Sequence, residues 1–185
     1  MRFDPERFVA DCRSALQSGD AARHIRELVG RTVAEPGAVA AGLGAPARAG
    51  IVPLHRSAEL TVLNVIWAPA MTIMPHDHRM WAVIGVYSGR EDNIFWRRVP
   101  EKANGRIDAA SAKALCEKDT VLLGADTIHS VTNPIGRYSC AVHVYGGDFF
   151  AAERSEWDSE SLLEQRYDVQ RAMRLFEEAN ARALH

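Results

Sequence analysis

Apolar residues near the start of the chain recur at the spacing of an α-helix. Asp4 followed by Pro5 is typical of an N-cap and a first helical turn, and Ser18-Gly19 ends the pattern. The apolar residues between them share one helical face: Phe8, Val9, Cys12, Ala15 and Leu16. A second helix is predicted from about Asp20. The Ala-, Gly- and Pro-rich residues 34–50 predict a short helix or a surface loop.

From Ile51 to Phe150 the pattern changes to short runs of β-branched and aromatic residues separated by turn-forming residues. The clearest runs are Glu59–Trp67, Met80–Tyr87, Asn93–Val99, Thr120–Leu123 and Arg137–Tyr145. Because no helices alternate with these runs, they predict an antiparallel sandwich or barrel and exclude a βαβ fold. Helical spacing returns from Ser159. We therefore predict a mainly β single domain over 1–185, with helical segment 1–50, β core 51–150 and a C-terminal helix in 151–185.

The composition is that of an ordinary globular domain of 185 residues, with 47% hydrophobic and 25% charged residues. A net charge of -2 gives no reason to expect nucleic acid or an anionic membrane as a partner. No apolar run approaches the roughly 20 residues that span a bilayer. An immediately charged start and three widely spaced cysteines predict neither a secretion signal nor a disulfide framework. We expect a cytoplasmic monomer or homodimer.

Two histidine-containing stretches carry the sharpest chemical signal. In Pro75-His76-Asp77-His78, strand alternation would place His76 and His78 on one side, within reach of one metal ion, and Asp77 on the other. A lone H-x-H pair is weak evidence. The second stretch strengthens it, since a glycine turn at Gly124 precedes His129 and Asn133 follows four residues later.

These stretches resemble the two motifs of the cupins, the first over Ala70–Gly89 and the second over Leu122–Asn133. The resemblance implies a cupin-type antiparallel β-barrel, a double-stranded β-helix. It also implies one divalent metal bound by His76, His78 and His129. Cupins usually carry a glutamate four or five residues after the second histidine, where this chain has Ala82 and Val83. The implied site is therefore three histidines without a carboxylate.

Residues 50–150 resemble the thiol dioxygenases, the cysteine dioxygenase group. Trp67 stands nine residues before His76, and Gly89 leads into Glu91, which we expect to be structural. The run Ala141-Val142-His143-Val144-Tyr145 matches the group's Ser-x-His-x-Tyr element, with Ala141 in place of the serine. The resemblance implies an Fe(II) enzyme that adds O₂ to a small thiol and forms a sulfinic acid, with Tyr145 and His143 as catalytic residues. Three imidazoles would also accept Zn, Ni or Mn.

The substrate side of the site is less defined. The resemblance places Arg56, at the end of a strand, as the anchor of a substrate carboxylate, a role that suits a guanidinium. The alternative is a solvated surface arginine. Cysteine, 3-mercaptopropionate and cysteamine are the candidate thiols. A metal-dependent cupin enzyme with a non-thiol substrate and a non-enzymatic ligand-binding cupin remain as alternatives.

Overall fold

The computed structural model describes residues 2–99 and 105–183, which contain four helices and eleven strands. Residues 1, 100–104, 184 and 185, included in the predicted domain 1–185, lie outside the described residues. The elements in chain order are α1 Pro5–Leu16, α2 Ala21–Val33, α3 Pro36–Leu43, β1 Gly50–Arg56, β2 Thr61–Trp67, β3 Thr72–His76, β4 Ala82–Ser88, β5 Arg90–Arg98, β6 Ile107–Cys116, β7 Thr120–Leu123, β8 Ile128–Thr132, β9 Ser139–Tyr145, β10 Ser155–Trp157, β11 Glu164–Arg166 and α4 Val169–Ala183.

The N-terminal helices are confirmed, and their capping follows from the sequence. The Asp4 carboxylate accepts hydrogen bonds from the backbone N–H groups of Glu6 and Arg7, at 3.0 and 3.2 Å. These bonds satisfy N–H groups that have no partner within the first turn of α1. Asp20 caps α2 in the same way, through the backbone N–H of Arg23. Both helices bury one apolar face.

The strands form two antiparallel sheets, and the pairing of strands along the chain accounts for the strand order in both. One sheet has the order β1-β2-β9-β4-β7 and the other β11-β10-β3-β8-β5-β6. Strands pair from the outside inward along the chain, β2 with β9, β3 with β8, β4 with β7 and β5 with β6. This is one long two-stranded ribbon, and alternate strand pairs lie in opposite sheets. Such a ribbon is a double-stranded β-helix, or jelly roll.

The predicted mainly β fold with helices at both ends is confirmed, but the sheets are not closed into a barrel. Among the described residues no strand belongs to both sheets. The two sheets instead pack face to face, and side chains close the space between them.

Apolar side chains pack on both faces of the five-stranded sheet, so every residue of β2 and β9 is buried. The outer layer packs against the N-terminal helices and includes Ile25, Val29, Val62, Val83 and Val142. The inner layer lies between the sheets and includes Leu63, Val65, Trp67, Ile84 and Phe176. Burial on both faces explains why these strands appear in the sequence as continuous apolar runs.

The C-terminal segment differs from the prediction of a helix from Ser159. Residues 155–166 form the hairpin β10–β11, and α4 begins only at Val169. Leu162 has a φ of 56°, which is incompatible with a continuous right-handed helix. Trp157 is fully buried, and its indole N–H donates to the carbonyl of Gly105 at 2.8 Å. Contacts distant in sequence therefore override the helical pattern.

The predicted turn at Ser88-Gly89-Arg90 connects one sheet to the other. Gly89 has a φ of +81°, and a Cβ at this position would lie 2.9 Å from the Cα of Ser139. Both facts require glycine here.

None of the helices in residues 2–99 and 105–183 is long and apolar enough to cross a membrane.

Candidate metal centre

Strand pairing brings the three predicted histidines together. His76, the last residue of β3, is the antiparallel partner of His129 on β8, beyond a register shift that follows Ile73. His78 lies two residues past the end of β3. One ring nitrogen of each histidine lies within 4.8 Å of the others, and all three rings are buried. The predicted three-histidine cluster is present, at a spacing that one metal ion can bridge.

Hydrogen bonds fix the orientation of two of these rings. Nδ1 of His76 lies 3.0 Å from the carbonyl oxygen of Met74, and Nδ1 of His129 lies 2.8 Å from Oδ1 of Asn93. Both oxygens are acceptors, so each Nδ1 carries the hydrogen and each Nε2 keeps a free lone pair. Nε2 of His129 is buried without a hydrogen-bond partner, as is Nδ1 of His78. Buried nitrogens without partners, grouped in this way, fit a bound cation.

The surroundings keep the three imidazoles uncharged. Burial, and then the positive charge of Arg154, lowers the pKa of His76 to about 3. Burial and the neighbouring imidazoles hold the pKa values of His78 and His129 well below the ordinary value. A neutral imidazole has the lone pair that a metal needs, so the ligand set requires no deprotonation at neutral pH.

These lowered pKa values predict that the metal-free protein loses stability as the pH falls from 7.5 to 5.5. Below pH 6.5, roughly the ordinary histidine pKa, the unfolded chain binds protons that the buried rings do not. The free energy of unfolding should therefore fall by up to about 1.4 kcal/mol per pH unit for each ring. Urea denaturation of the metal-free protein at pH 7.5 and pH 5.5 measures this change in the free energy of unfolding. A His76→Gln variant should show a shallower dependence, and equal wild-type stability at both values would contradict the prediction.

Tyr145 and His143, predicted as catalytic residues, project from β9 into the same interior. The hydroxyl of Tyr145 lies 2.9 Å from Nδ1 of His143, and the Tyr145 ring centroid lies 5.1 Å from that of His78. Burial raises the pKa of Tyr145, which keeps the hydroxyl protonated. These two residues and the three clustered histidines line one cavity of about 30 Å³. The structure thus brings together five of the six predicted site residues.

Arg56, the predicted substrate anchor, is the sixth residue, and the structure does not place it in this cavity. It ends β1, as expected, but its side chain is 50% exposed. Its Nε donates to Oδ1 of Asp148 at 2.9 Å, and its guanidinium lies over the ring of Phe150. Arg56 is thus held by a surface carboxylate. Its role as anchor stays a prediction.

Arg154 is a buried cation beside the cluster that the sequence patterns did not single out. It is 6% exposed, and its guanidinium carbon lies 3.7 Å from the ring centroid of Tyr167 and 4.2 Å from that of Phe149. Among the described residues no carboxylate forms a salt bridge with it. Pairing of β10 with β3 brings it close to His76. A local pattern could not have revealed this, because the two strands are about 80 residues apart.

Asp77 fixes the approach of β10, which positions Arg154. Its side chain is buried, and Oδ1 accepts from the backbone N–H of Ser155 at 2.8 Å. Nη1 of Arg154 in turn donates to the carbonyl oxygen of Asp77 at 3.3 Å. Asp77 therefore holds the segment that carries the cation, and it does not belong to the three-histidine cluster.

Comparisons with known proteins concern the fold. No protein-family model matches the chain. The chain is similar to an RmlC-like cupin family protein of Methanocaldococcus jannaschii, with 7% identity over 55% of this chain and 83% of that one, and a TM-score of 0.45. It is also similar to a cupin superfamily protein of Desulfitobacterium hafniense, with 11% identity over 57% of this chain and 83% of that one, and a TM-score of 0.44. A third similar structure is oxalate decarboxylase from Bacillus subtilis, with 16% identity over 52% of this chain and 23% of that one, and a TM-score of 0.40. The strand order identifies the fold as a double-stranded β-helix, the arrangement that cupins share with other jelly-roll proteins.

Proposed function

We propose that this protein is a metal-dependent dioxygenase that adds O₂ to a small thiol bearing a carboxylate. The observation that carries the proposal is the hydroxyl of Tyr145, bonded to His143 and buried beside a three-histidine cluster. Support also comes from the resemblance of the Ala141–Tyr145 run to the corresponding element of the thiol dioxygenases.

The ligand set consists of neutral donors. The cluster includes His76, His78 and His129, and no carboxylate of the described residues belongs to it. The three neutral imidazoles would hold a divalent metal without reducing its charge, and a metal with its full charge would favour a thiolate ligand and leave a position for O₂. Fe(II) is the expected ion, and the same imidazoles would accept Zn, Ni or Mn.

Tyr145 places a hydroxyl where the reacting atoms would lie. Its bond to His143 fixes the direction of the phenol, and its contact with Phe149, at 4.5 Å between ring centroids, limits movement of the ring. Because its hydrogen is directed to His143, the phenol oxygen is free to accept the hydrogen of the substrate thiol as the thiolate forms. The small volume of the cavity favours a substrate of few atoms.

Arg154 supplies a positive charge next to two residues that line the cavity. Two lining residues, Phe149 and Tyr167, hold its guanidinium between their rings. A buried cation without a carboxylate partner is costly, and an anionic group on the substrate would offset that cost. This arrangement supports a thiol with a carboxylate, such as 3-mercaptopropionate or cysteine, over cysteamine.

Oxygen uptake tests the proposed reaction directly. Protein loaded anaerobically with Fe(II) is mixed with each of the three thiols, and O₂ and the sulfinic acid are measured. We expect one O₂ consumed for each sulfinic acid formed, because both oxygen atoms enter the product, and faster turnover of the two carboxylates. The reaction is excluded if none of the thiols stimulates uptake and none changes the anaerobic spectrum of the loaded protein. The search would then move to non-thiol substrates.

Replacing Arg154 with methionine should raise the KM for 3-mercaptopropionate about tenfold or more. Methionine fills the space between the rings but removes a charge-assisted hydrogen bond that contributes about 1.5–3 kcal/mol. The KM for cysteamine should change little. Arg56→Met is the matched variant at the exposed arginine. If Arg56→Met raises the KM and Arg154→Met does not, the anchor is Arg56.

A further inference from the structure

We propose that Glu91 is a positioning residue that holds the hydrogen of His143 on Nε2 and thereby orients the Tyr145 hydroxyl. The kinetic consequence rests on the proposed function, whereas the contact between Glu91 and His143 does not. The resemblance to thiol dioxygenases predicts a serine hydroxyl at position 141, where this chain has alanine. The structure places a carboxylate next to the histidine instead.

Glu91 reaches the interior because of its position on β5. Successive residues of this strand alternate, so Glu91 and Asn93 are buried while Arg90 and Ile94 are exposed. The carboxylate of Glu91 has 0% exposure. Its Oε1 accepts from the indole N–H of Trp67 at 2.8 Å. The side-chain oxygen of Asn93 accepts a hydrogen bond from Nδ1 of His129 in the same interior. β5 therefore supports both the metal cluster and the catalytic pair.

The same carboxylate oxygen faces His143. Oε1 of Glu91 lies 3.8 Å from Nε2 of His143, and the two side chains are 0% and 3% exposed. Nε2 of His143 and Oε2 of Glu91 are both buried without a hydrogen-bond partner. Such groups are costly unless they are satisfied, which favours closure of this pair from 3.8 Å to hydrogen-bond distance. Ala141, on the same face of β9, offers no hydroxyl as an alternative.

A carboxylate can only accept a hydrogen bond, so its presence keeps the hydrogen of His143 on Nε2. Nδ1 of a neutral ring is then an acceptor, and the 2.9 Å contact becomes a bond donated by the Tyr145 hydroxyl. The oxygen of Tyr145 is thereby held in one orientation toward the cavity. A carboxylate that selects the tautomer of a catalytic imidazole has the same physical role in hydrolase triads.

Two substitutions of Glu91 separate this role from a purely structural one. Glu91→Gln keeps an oxygen for the Trp67 bond but replaces the carboxylate with a weaker, neutral acceptor. Glu91→Leu removes the acceptor and leaves the indole N–H without a partner. A structural role would appear as lost thermal stability alone. Asp92→Asn is the matched control, because Asp92 is the next residue on β5 and pairs at the surface with Arg90 at 2.6 Å.

Imidazole ¹⁵N NMR of zinc-loaded protein, with His143 assigned through His143→Gln, reports the tautomer without any turnover. In the wild type we expect the hydrogen of His143 on Nε2. Glu91→Gln should give a mixture of the Nε2–H and Nδ1–H tautomers, and Glu91→Leu a larger shift of that population. Asp92→Asn should leave the wild-type tautomer unchanged. In the Fe(II) enzyme, kcat should fall about tenfold or more in the Glu91 variants, with KM and metal content little changed.

Wild-type His143 signals in Glu91→Gln and in folded Glu91→Leu would overturn the inference, as would a kcat within about twofold of wild type. If Glu91→Leu does not fold, Glu91→Gln alone decides. A wild-type protein that consumes no O₂ with any thiol refutes the proposed function. The NMR comparison then still decides whether Glu91 sets the tautomer of His143.

Discussion

Replacing His129 with alanine is expected to abolish stoichiometric metal binding, and His76→Ala and His78→Ala should do the same. Three ligands offer no redundancy, and no other donor of the described residues belongs to the cluster. The loss of Nε2 of His129 removes a buried nitrogen that has no hydrogen-bond partner in the protein. Elemental analysis of dialysed, Fe(II)- or Zn(II)-loaded protein measures the effect, from about one ion per chain to background.

His24→Ala and His55→Ala are the controls for this experiment. His24 lies on α2, where its ring bonds to the hydroxyl of Ser18, and His55 lies on β1. Both variants should keep the full metal content. A folded His129→Ala variant that also keeps it would show that the third ligand is a different residue.

Tyr145→Phe is expected to slow thiol-dependent O₂ uptake by about 10- to 1000-fold while the metal stays bound. A phenol oxygen that accepts the thiol hydrogen can accelerate the reaction by about this amount, and phenylalanine keeps the ring contacts with His78 and Phe149. Steady-state kinetics on the Fe(II) protein, with metal content determined on the same sample, separate the loss of the hydroxyl from a loss of metal.

Tyr87→Phe is the matched control. Tyr87 is also buried, but it belongs to the outer layer, where its hydroxyl donates to Oδ1 of Asn64 at 2.9 Å. Its removal should lower stability and leave turnover per bound metal unchanged. A Tyr145→Phe enzyme as active as wild type would remove the tyrosine from the mechanism. The metal prediction would be unaffected.

The sequence alone predicted the elements that depend on local chemistry. Asp4-Pro5 and Asp20 mark the helix starts because a capping carboxylate needs only the next few backbone N–H groups. The runs that become β2, β4 and β9 were predicted, because residues buried on both faces form unbroken apolar stretches. The three histidines were identified because two lie two residues apart and the third ends a recognisable turn.

The tertiary structure decided what depends on pairing between distant segments. The exposed strand β6 and the short strands β10 and β11 have weak local signals, and hydrogen bonding to neighbouring strands defines them. Whether the two sheets close into a barrel depends on contacts between edge strands, which no single segment encodes.

Contacts between distant segments also decide which charged residues lie beside the three-histidine cluster. Arg56 and Arg154 are both arginines in unremarkable local sequence, and only packing determines which one is buried. Arg56 meets a surface carboxylate, whereas Arg154 is carried beside His76 by the β10–β3 pairing. Glu91 was expected to be structural and lies beside His143 because β5 and β9 face each other across the interior. Histidines close in sequence can be recognised from spacing, but a charge acts through distance and burial, which only the folded chain defines.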